Sequence, residues 1–436
     1  MNISNVSCLV AYGKDELSVA VPAANLIGEF KARKATYLNQ DEQLIREALD
    51  QPVGSPKLEN LVKPGSSVAI VVDDNTRPTP TAQILPHLLA VLHQQGVEKQ
   101  DITFVFANGS HRLNTREEQI KILGDERYLS DYRISDHDVH DTANLTDLGS
   151  TARGTPVRIN SWVASADLRV LIGLIKPHAF AGYTGGGKSI LPGVSSLETI
   201  IADHDYHATD HHRSVLGVID GNLIRSDIEE AAHLLSPCFI VNAVLDEEKR
   251  ILGVVAGDMI EAHRKGVSLL DDLVRIEVPE EADIVVVGCS HPTSVNLYQS
   301  ANAVLNCTKS LKPIVKKGGI VILASPCPEG IGDGPFYDLV REAQTLEGIL
   351  EKLSQPGFFI HDQWAAQAWA TTLLYSRVFV VSSGISEAQA LEMKAQSYPD
   401  IQRALNAAMR EFGAGARVTV LHDAPYIIPC LNSRQV

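Results

Sequence analysis

The sequence predicts an α/β protein, built as two α/β domains with mainly parallel sheets and an active-site cleft between them. Three observations carry that prediction. Apolar, β-branched runs alternate with amphipathic segments along the chain, the pattern of buried strands covered by helices. The chain has 436 residues, more than a single core usually serves, and 44% of them are hydrophobic. An acidic turn, Val278-Pro-Glu-Glu-Ala282, then interrupts the pattern before a second series of strands begins. The expected domains are therefore 1–277 and 278–436.

Taken in order, residues 1–21 read as a small sheet leading to a helix at 44–50. Strands are predicted at 68–72, 102–106, 168–175, 239–244, 284–287, 320–324, 378–381 and 418–421. Between the first two, Ile84, Leu85, Leu88, Leu89, Val91 and Leu92 recur at helical spacing, so 81–95 is predicted to form a covering helix. Pro78-Thr-Pro80 marks its start, with Pro86 expected to delay it by a few residues. Ligands of open sheets sit beyond the carboxyl ends of strands, so polar clusters that follow strands are the candidate sites.

Composition narrows the function. The formal charge of −15 argues against a nucleic-acid surface, and an anionic substrate would need local cations. No apolar run approaches a membrane span, and the amino terminus lacks a basic region followed by an apolar block, so a cytoplasmic protein is expected. Six cysteines without C-x-x-C spacing suggest buried thiols, not a disulfide framework or a zinc site. The sequence carries no signal of oligomeric state.

Three polar clusters follow strands: Asp73-Asp-Asn-Thr-Arg-Pro-Thr-Pro80, Ala107-Asn-Gly-Ser-His-Arg112 and the long segment from Lys176 to Ser196. Each alone suits a strand-end turn. Together they supply Arg77, His111, His178 and Lys188, which fits one shared anionic site. Within the third, Gly182 to Ser189 satisfies G-x-x-x-x-G-K-S, the phosphate-binding P-loop pattern, and Asp73 after its apolar run imitates a magnesium-binding carboxylate. An ATP-binding hydrolase or kinase is the alternative this raises. Its context is poor: Lys176 to Ala181 separates the strand from Gly182, and Pro192-Gly193 would stop a helix soon after Lys188.

Histidine clusters in Asp203-His-Asp-Tyr-His-Ala-Thr-Asp-His-His212. Imidazole suits nickel, copper, zinc and iron, yet no H-E-x-x-H is present, so a solvated histidine-rich helix and a single metal ligand both remain readings of it.

Taken together, Asp74-Asn-Thr-Arg-Pro78, Gly109-Ser-His-Arg112, the run from His178 to Gly193, His204 and Leu297-Tyr-Gln-Ser300 resemble the nickel-dependent lactate racemase family over nearly the full length. The resemblance implies a nickel-pincer nucleotide, a pyridinium-3,5-bisthiocarboxylic acid mononucleotide holding nickel and attached covalently through Lys188, with His204 as the protein's nickel ligand. It places Asp74, Asn75, Thr76 and Arg77 against cofactor and substrate, and makes residues 1–277 the domain of the tether and of the catalytic histidines. It also implies partners: a small 2-hydroxyacid substrate and the enzymes that make the cofactor. The glycines would let backbone approach the cofactor.

The activity implied is racemisation of a 2-hydroxyacid through a transient ketoacid by proton-coupled hydride transfer, with His111 and His178 as the paired acid–base histidines. One departure stands out. Where lactate racemases carry a lysine three residues after the glutamine of their Tyr-Gln pair, this chain has Asn302. An amide brings a donor and an acceptor suited to hydroxyl groups but no charge. Tyr298, Gln299, Asn302 and Trp364 are therefore expected to line a pocket for a larger polyhydroxy (aldonic) acid rather than lactate, with Arg77 left to bind the carboxylate.

Overall fold

The structure is a computed structural model, which describes residues 4–246, 248–332, 334–355, 357–360 and 362–432. Among them the chain is mixed α/β and packs as two compact units, neither continuous in sequence. The first comprises residues 34–205 and 221–272; the second comprises 4–33, 206–220 and 273–432.

In the first unit six strands run in the order Ile251–Asp258, Cys238–Leu245, Leu168–Leu174, Val68–Asp73, Ile102–Ala107, Arg133–Asp136. All neighbours are parallel except Ile251–Asp258, which turns back on Cys238–Leu245. Leu168–Leu174 and the first five residues of Val68–Asp73 are buried throughout, as strands covered on both faces must be. The predicted covering helix is present as Thr81–Gln94 and buries Ile84, Leu85, Leu88, Leu89 and Leu92. Pro86 lies inside it without delaying its start, because that apolar face is fully engaged with the sheet and outweighs one lost hydrogen bond.

The second unit holds an eight-stranded sheet. Ala282–Ser290 is central: it pairs in parallel with Val315–Ala324 on one side, and on the other with Val418–Leu421 near its start and Asn5–Gly13 at its end. All eight strands expected from the apolar runs are present. The amino-terminal strands Asn5–Gly13 and Asp15–Pro22 form a hairpin, but not a separate small sheet; Val10, Val19 and Val21 enter the core of the eight-stranded one. The expected boundary at 277/278 falls where Arg275–Val278 ends, while residues 4–33 pack with the unit that follows it. Their partners are supplied by strand pairing across hundreds of residues, which no local pattern encodes. No helix among the described residues is long and apolar enough to cross a membrane.

Candidate active site

The site is built where three neighbouring strands of the first unit end together. Val72 is paired with Phe106 on one side and Ile172 on the other, and Asp73 with Ala107, so the segments that follow these strands leave the same edge. Asp74, only 3% exposed, accepts from Thr76 Oγ1 at 2.6 Å and from the Thr76 backbone N–H at 3.1 Å. Its other oxygen lies 2.6 Å from Nδ1 of His111, contributed by the neighbouring loop. Arg77 donates to Thr76 Oγ1 at 3.0 Å. Burial would raise the Asp74 carboxyl, but hydrogen bonds from His111 and Thr76 and the charges of His111 and Arg77 bring it below its ordinary value. An ionised Asp74 can only accept, so His111 must carry its proton on Nδ1 and leave Nε2 bare when neutral.

A polar clamp that motifs do not reveal stands behind this pair. Asp136 ends the next strand and accepts from Asn108 Nδ2 at 2.7 Å and Asn114 Nδ2 at 3.0 Å. Asn114 Nδ2 also reaches Asn108 Oδ1 at 2.7 Å, and Asn114 Oδ1 accepts from the Asn75 backbone N–H at 3.1 Å. Asn114 is thus the stitch between the loop bearing Asp74 and the loop bearing His111. Asn75 donates its own side-chain amide to Glu118 Oε1 at 2.5 Å.

The third segment carries His178 and Lys188. The P-loop reading fails on geometry: Gly186–Ser189 is a single 3-10 turn, and the next α-helix, Leu197–Asp203, begins nine residues after Lys188. Side chains far away in sequence hold the glycine loop instead. Buried Arg225 donates to the carbonyls of Ala181 (3.2 Å), Gly185 (3.4 Å) and Tyr183. Asn242 Oδ1 accepts from Gly186 N–H at 2.7 Å, His263 Nε2 lies 2.9 Å from the Thr184 carbonyl, and Asn222 donates to the Phe180 carbonyl at 2.7 Å. The glycines serve this cage. A Cβ on Gly185, at φ +79°, would come within 2.8 Å of Asn242 Oδ1, and one on Gly193 within 2.3 Å of the Ser189 carbonyl. Protein atoms alone require glycine at both positions.

Electrostatics tie the segment together. Burial, then the positive charge of Arg77 and Arg225, brings the Lys188 amine down to about 7, against the opposing pull of Asp203. Lys176 is brought to about 7 by burial and Arg77. Burial and the charges of Lys188, His204, Arg77 and Lys176 hold His178 well below its ordinary value, so it is neutral at neutral pH. Its Nδ1 accepts two backbone N–H groups, Ala181 at 3.1 Å and Phe180 at 3.3 Å. His204 closes helix Leu197–Asp203, and fully buried Asp203 brings Oδ2 to 2.9 Å from its Nδ1, a close imidazole–carboxylate contact. His207, His211 and His212 belong to the other unit, so the histidine cluster of the sequence is divided by the fold. No group of three or more histidine, cysteine or acidic side chains suited to a metal occurs among the described residues.

Tyr298, Gln299 and Asn302 share the first turns of helix Leu297–Thr308 in the second unit, capped by Asn296. Tyr298 packs edge-on against Phe336, with ring centroids 5.7 Å apart, and Asn302 Nδ2 donates to the Gln299 carbonyl at 3.0 Å. Trp364, on helix Gln363–Tyr375, is half-buried; the core tryptophan of that helix is Trp369, whose Nε1 donates to the Met393 carbonyl at 3.0 Å.

Comparison with known proteins agrees over almost the whole chain. Residues 12–217 match the family model of the lactate racemase N-terminal domain, and residues 278–428 that of the lactate racemase C-terminal domain. The lactate racemase of Lactiplantibacillus plantarum is 30% identical over 96% of this chain and 98% of its own length. That of Thermoanaerobacterium thermosaccharolyticum is 28% identical over the same shares. The structure of the lactate racemase apoprotein from T. thermosaccharolyticum superposes with a TM-score of 0.90 at 27% identity, covering 98% of this chain and 100% of that one. A Thermotoga maritima protein, 19% identical with a TM-score of 0.68 over 91% of this chain and 100% of its own, shares the fold.

Proposed function

The chain belongs to the lactate racemase family and is an isomerase of that family; from that premise we propose that it inverts C2 of a 2-hydroxyacid larger than lactate, an aldonic acid, with a nickel-pincer nucleotide tethered through Lys188. The observation that carries the reading is the convergence of a carboxylate-paired imidazole, a guanidinium and a half-buried lysine amine held below its ordinary value, on segments that follow neighbouring strands.

Two features of the residues fit the group. At about 7 the Lys188 amine is substantially neutral near neutral pH, the form able to make an amide-type bond. Behind His204 stands a buried carboxylate, Asp203, whose Oδ2 lies 2.9 Å from the ring's Nδ1 and leaves Nε2 to face a ligand, the kind of support metal-ligating imidazoles use. In this reading Lys188 holds the nucleotide, His204 supplies the protein's donor to nickel, and Asp74, Asn75, Thr76 and Arg77 flank the cofactor and substrate. The chemistry the group supplies when bound is reversible uptake of hydride from the substrate's Cα.

The chain's own residues do the rest. Arg77 binds and orients the substrate carboxylate. His111 takes the hydroxyl proton on Nε2, and the imidazolium so formed rests against Asp74. His178 is the second histidine at the substrate oxygen. Tyr298, Gln299, Asn302 and Trp364 contact the substrate's remainder, Asn302 offering hydrogen bonds where a lysine would offer charge.

Two measurements test this. Intact-mass analysis with peptide mapping, on protein made together with the cofactor-synthesis enzymes, should find an adduct on Lys188. Incubation with lactate enantiomers and with C2-epimeric aldonates, followed by chiral analysis, should show epimerisation of the aldonates; efficient lactate turnover without it would refute the substrate assignment.

A further inference from the structure

One hairpin of the first unit reaches the chain around His204. Strands Leu145–Ser150 and Pro156–Asn160 pair antiparallel, and the turn between them carries Arg153. Its guanidinium is anchored first: Nε and one terminal nitrogen donate to Asp227 Oδ2 at 2.9 and 2.6 Å. Asp227, 1% exposed, also accepts from the hydroxyls of Thr151 and Thr155 on the same turn. So held, Arg153 meets the chain on both sides of His204. It donates to the carbonyls of Ala202 and Asp203 at 3.0 Å each and to Asp205 Oδ2 at 3.3 Å. The same guanidinium lies 4.0 Å from Oδ1 of Asp203, the carboxylate whose other oxygen stands behind the His204 ring.

The last carbonyls of an α-helix have no partner within the helix, and many helices satisfy them through a left-handed glycine. Helix Leu197–Asp203 ends without one. Its C-cap is His204 itself, at φ −97° and ψ 32°, with its N–H donating to the Ile200 carbonyl. Arg153 supplies the missing donors from about 50 residues away. A side chain outside the helix therefore sets where the backbone of His204 comes to rest, and the carboxylate behind the ring faces the same cation.

We propose that Arg153 is the positioning residue of His204, fixing both the backbone from which the ring projects and the Asp203 carboxylate that orients it. This rests on the reading of His204 as the protein's donor to nickel. The contribution is geometric. A planar guanidinium with five N–H donors can serve two carbonyls and the carboxylates of Asp205 and Asp227 together, where a lysine ammonium is a single point with three.

Arg169 provides a matched control. It is another buried arginine of this unit that serves the end of a helix, donating to the Val163 and Ala164 carbonyls of Ser161–Ser165 at 2.9 and 2.6 Å. The first measurement uses cofactor-free protein: nitrogen-15 NMR of the histidine rings, with His204 assigned by the resonance lost in His204→Gln. That resonance should be displaced or broadened in Arg153→Met and unmoved in Arg169→Met. The second uses protein made together with the cofactor-synthesis enzymes, counting the Lys188 adduct by intact mass and the nickel retained per adduct against increasing EDTA. Arg153→Met should keep the adduct and hold nickel about tenfold or more weakly, as when a metal-ligating imidazole loses its support. Arg169→Met should match the wild type. Arg153→Lys keeps a positive charge beside Asp227, guards against a methionine variant that does not fold, and should show both effects in smaller degree. A wild-type His204 resonance and wild-type nickel retention in the Arg153 variants would overturn the proposal. So would equal losses in Arg153→Met and Arg169→Met, the mark of general destabilisation. No adduct on Lys188 in the wild type would instead defeat the functional reading, and the His204 resonance would then decide the positioning role by itself.

Discussion

Asp74 and His111 meet at 2.6 Å across the ends of two adjacent parallel strands, the carboxylate buried and the imidazole nearly half exposed. The carboxylate is shielded while the ring remains accessible to a substrate. That asymmetry suits a base that must exchange protons with a ligand yet keep one ring nitrogen fixed.

Asp74→Asn removes the charge that keeps the His111 proton on Nδ1 while leaving the shape. Turnover is expected to fall by about 10²- to 10⁴-fold, with KM less affected. Because the Asp74 carboxyl lies below its ordinary value, its contribution to stability is present above that value and is lost as pH falls through the lower, folded one. Urea unfolding of wild type and variant should therefore differ most near neutral pH and converge in strong acid.

Lys188 and Lys176 give the same direction with pH by the opposite route, because burying the charged amine costs stability where the ionised Asp74 contributes it. With both amines brought from 10.5 to about 7, the unfolded chain binds protons between those values that the folded chain does not. Stability of the cofactor-free protein should rise with pH from about 7 toward 10. Lys188→Met should reduce that rise and raise stability most below pH 7, read as the urea midpoint at pH 6 against pH 9.

Asn114→Ala cuts the stitch between the Asp74 and His111 loops and leaves the Asn75 N–H and the Asp136 carboxylate short of a partner. A loss of about 1–3 kcal/mol is expected in chemical denaturation. Faster hydrogen exchange should appear at residues 74–77 and 108–114 while exchange in the strands is unchanged.

Arg225→Met exposes the cost of the glycine-loop cage. The carbonyls of Ala181, Tyr183 and Gly185 lose a buried donor, for an expected loss of about 3 kcal/mol or more. Hydrogen exchange should rise across residues 180–188, and under the proposed function the adduct on Lys188 should form to a lesser extent.

Asn302→Lys tests the substrate assignment directly. A restored ammonium should raise kcat/KM for lactate relative to an aldonate by about tenfold or more, the worth of one charge-assisted hydrogen bond of ~1.5–3 kcal/mol. An unchanged ratio would remove Asn302 from the specificity determinants.

Much of the fold and of the site is legible in the residues alone. The apolar runs at 68–72 and 168–175 have the composition of buried strands, and the residues just beyond them, Asp74 to Arg77 and His178, are where parallel sheets carry their chemistry. The stop signal Pro192-Gly193 argues against a P-loop helix, and none forms there. Asn108, Asn114 and Asp136 do not stand out, because Asn and Asp near strand ends are also what ordinary turns contain. Arg225, Asn242 and His263 give no signal: each sits in a helix or strand of unremarkable composition and acts on a loop some 40 to 80 residues away. The amino-terminal residues read as strands but not as part of the eight-stranded sheet, since pairing partners are chosen by register over the whole chain.

What the sequence by itself determined is the kind of element at each place and the inventory of reactive groups, because hydrophobic period, prolines and strand-end polar residues act over a few neighbours. Only the tertiary structure decided which nitrogen of each histidine holds the proton. That depends on a carboxylate 37 residues from one ring and on a loop braced around the other by Asn222 and Arg225, and buried polar groups are set by whatever partners the completed fold brings within about 3 Å.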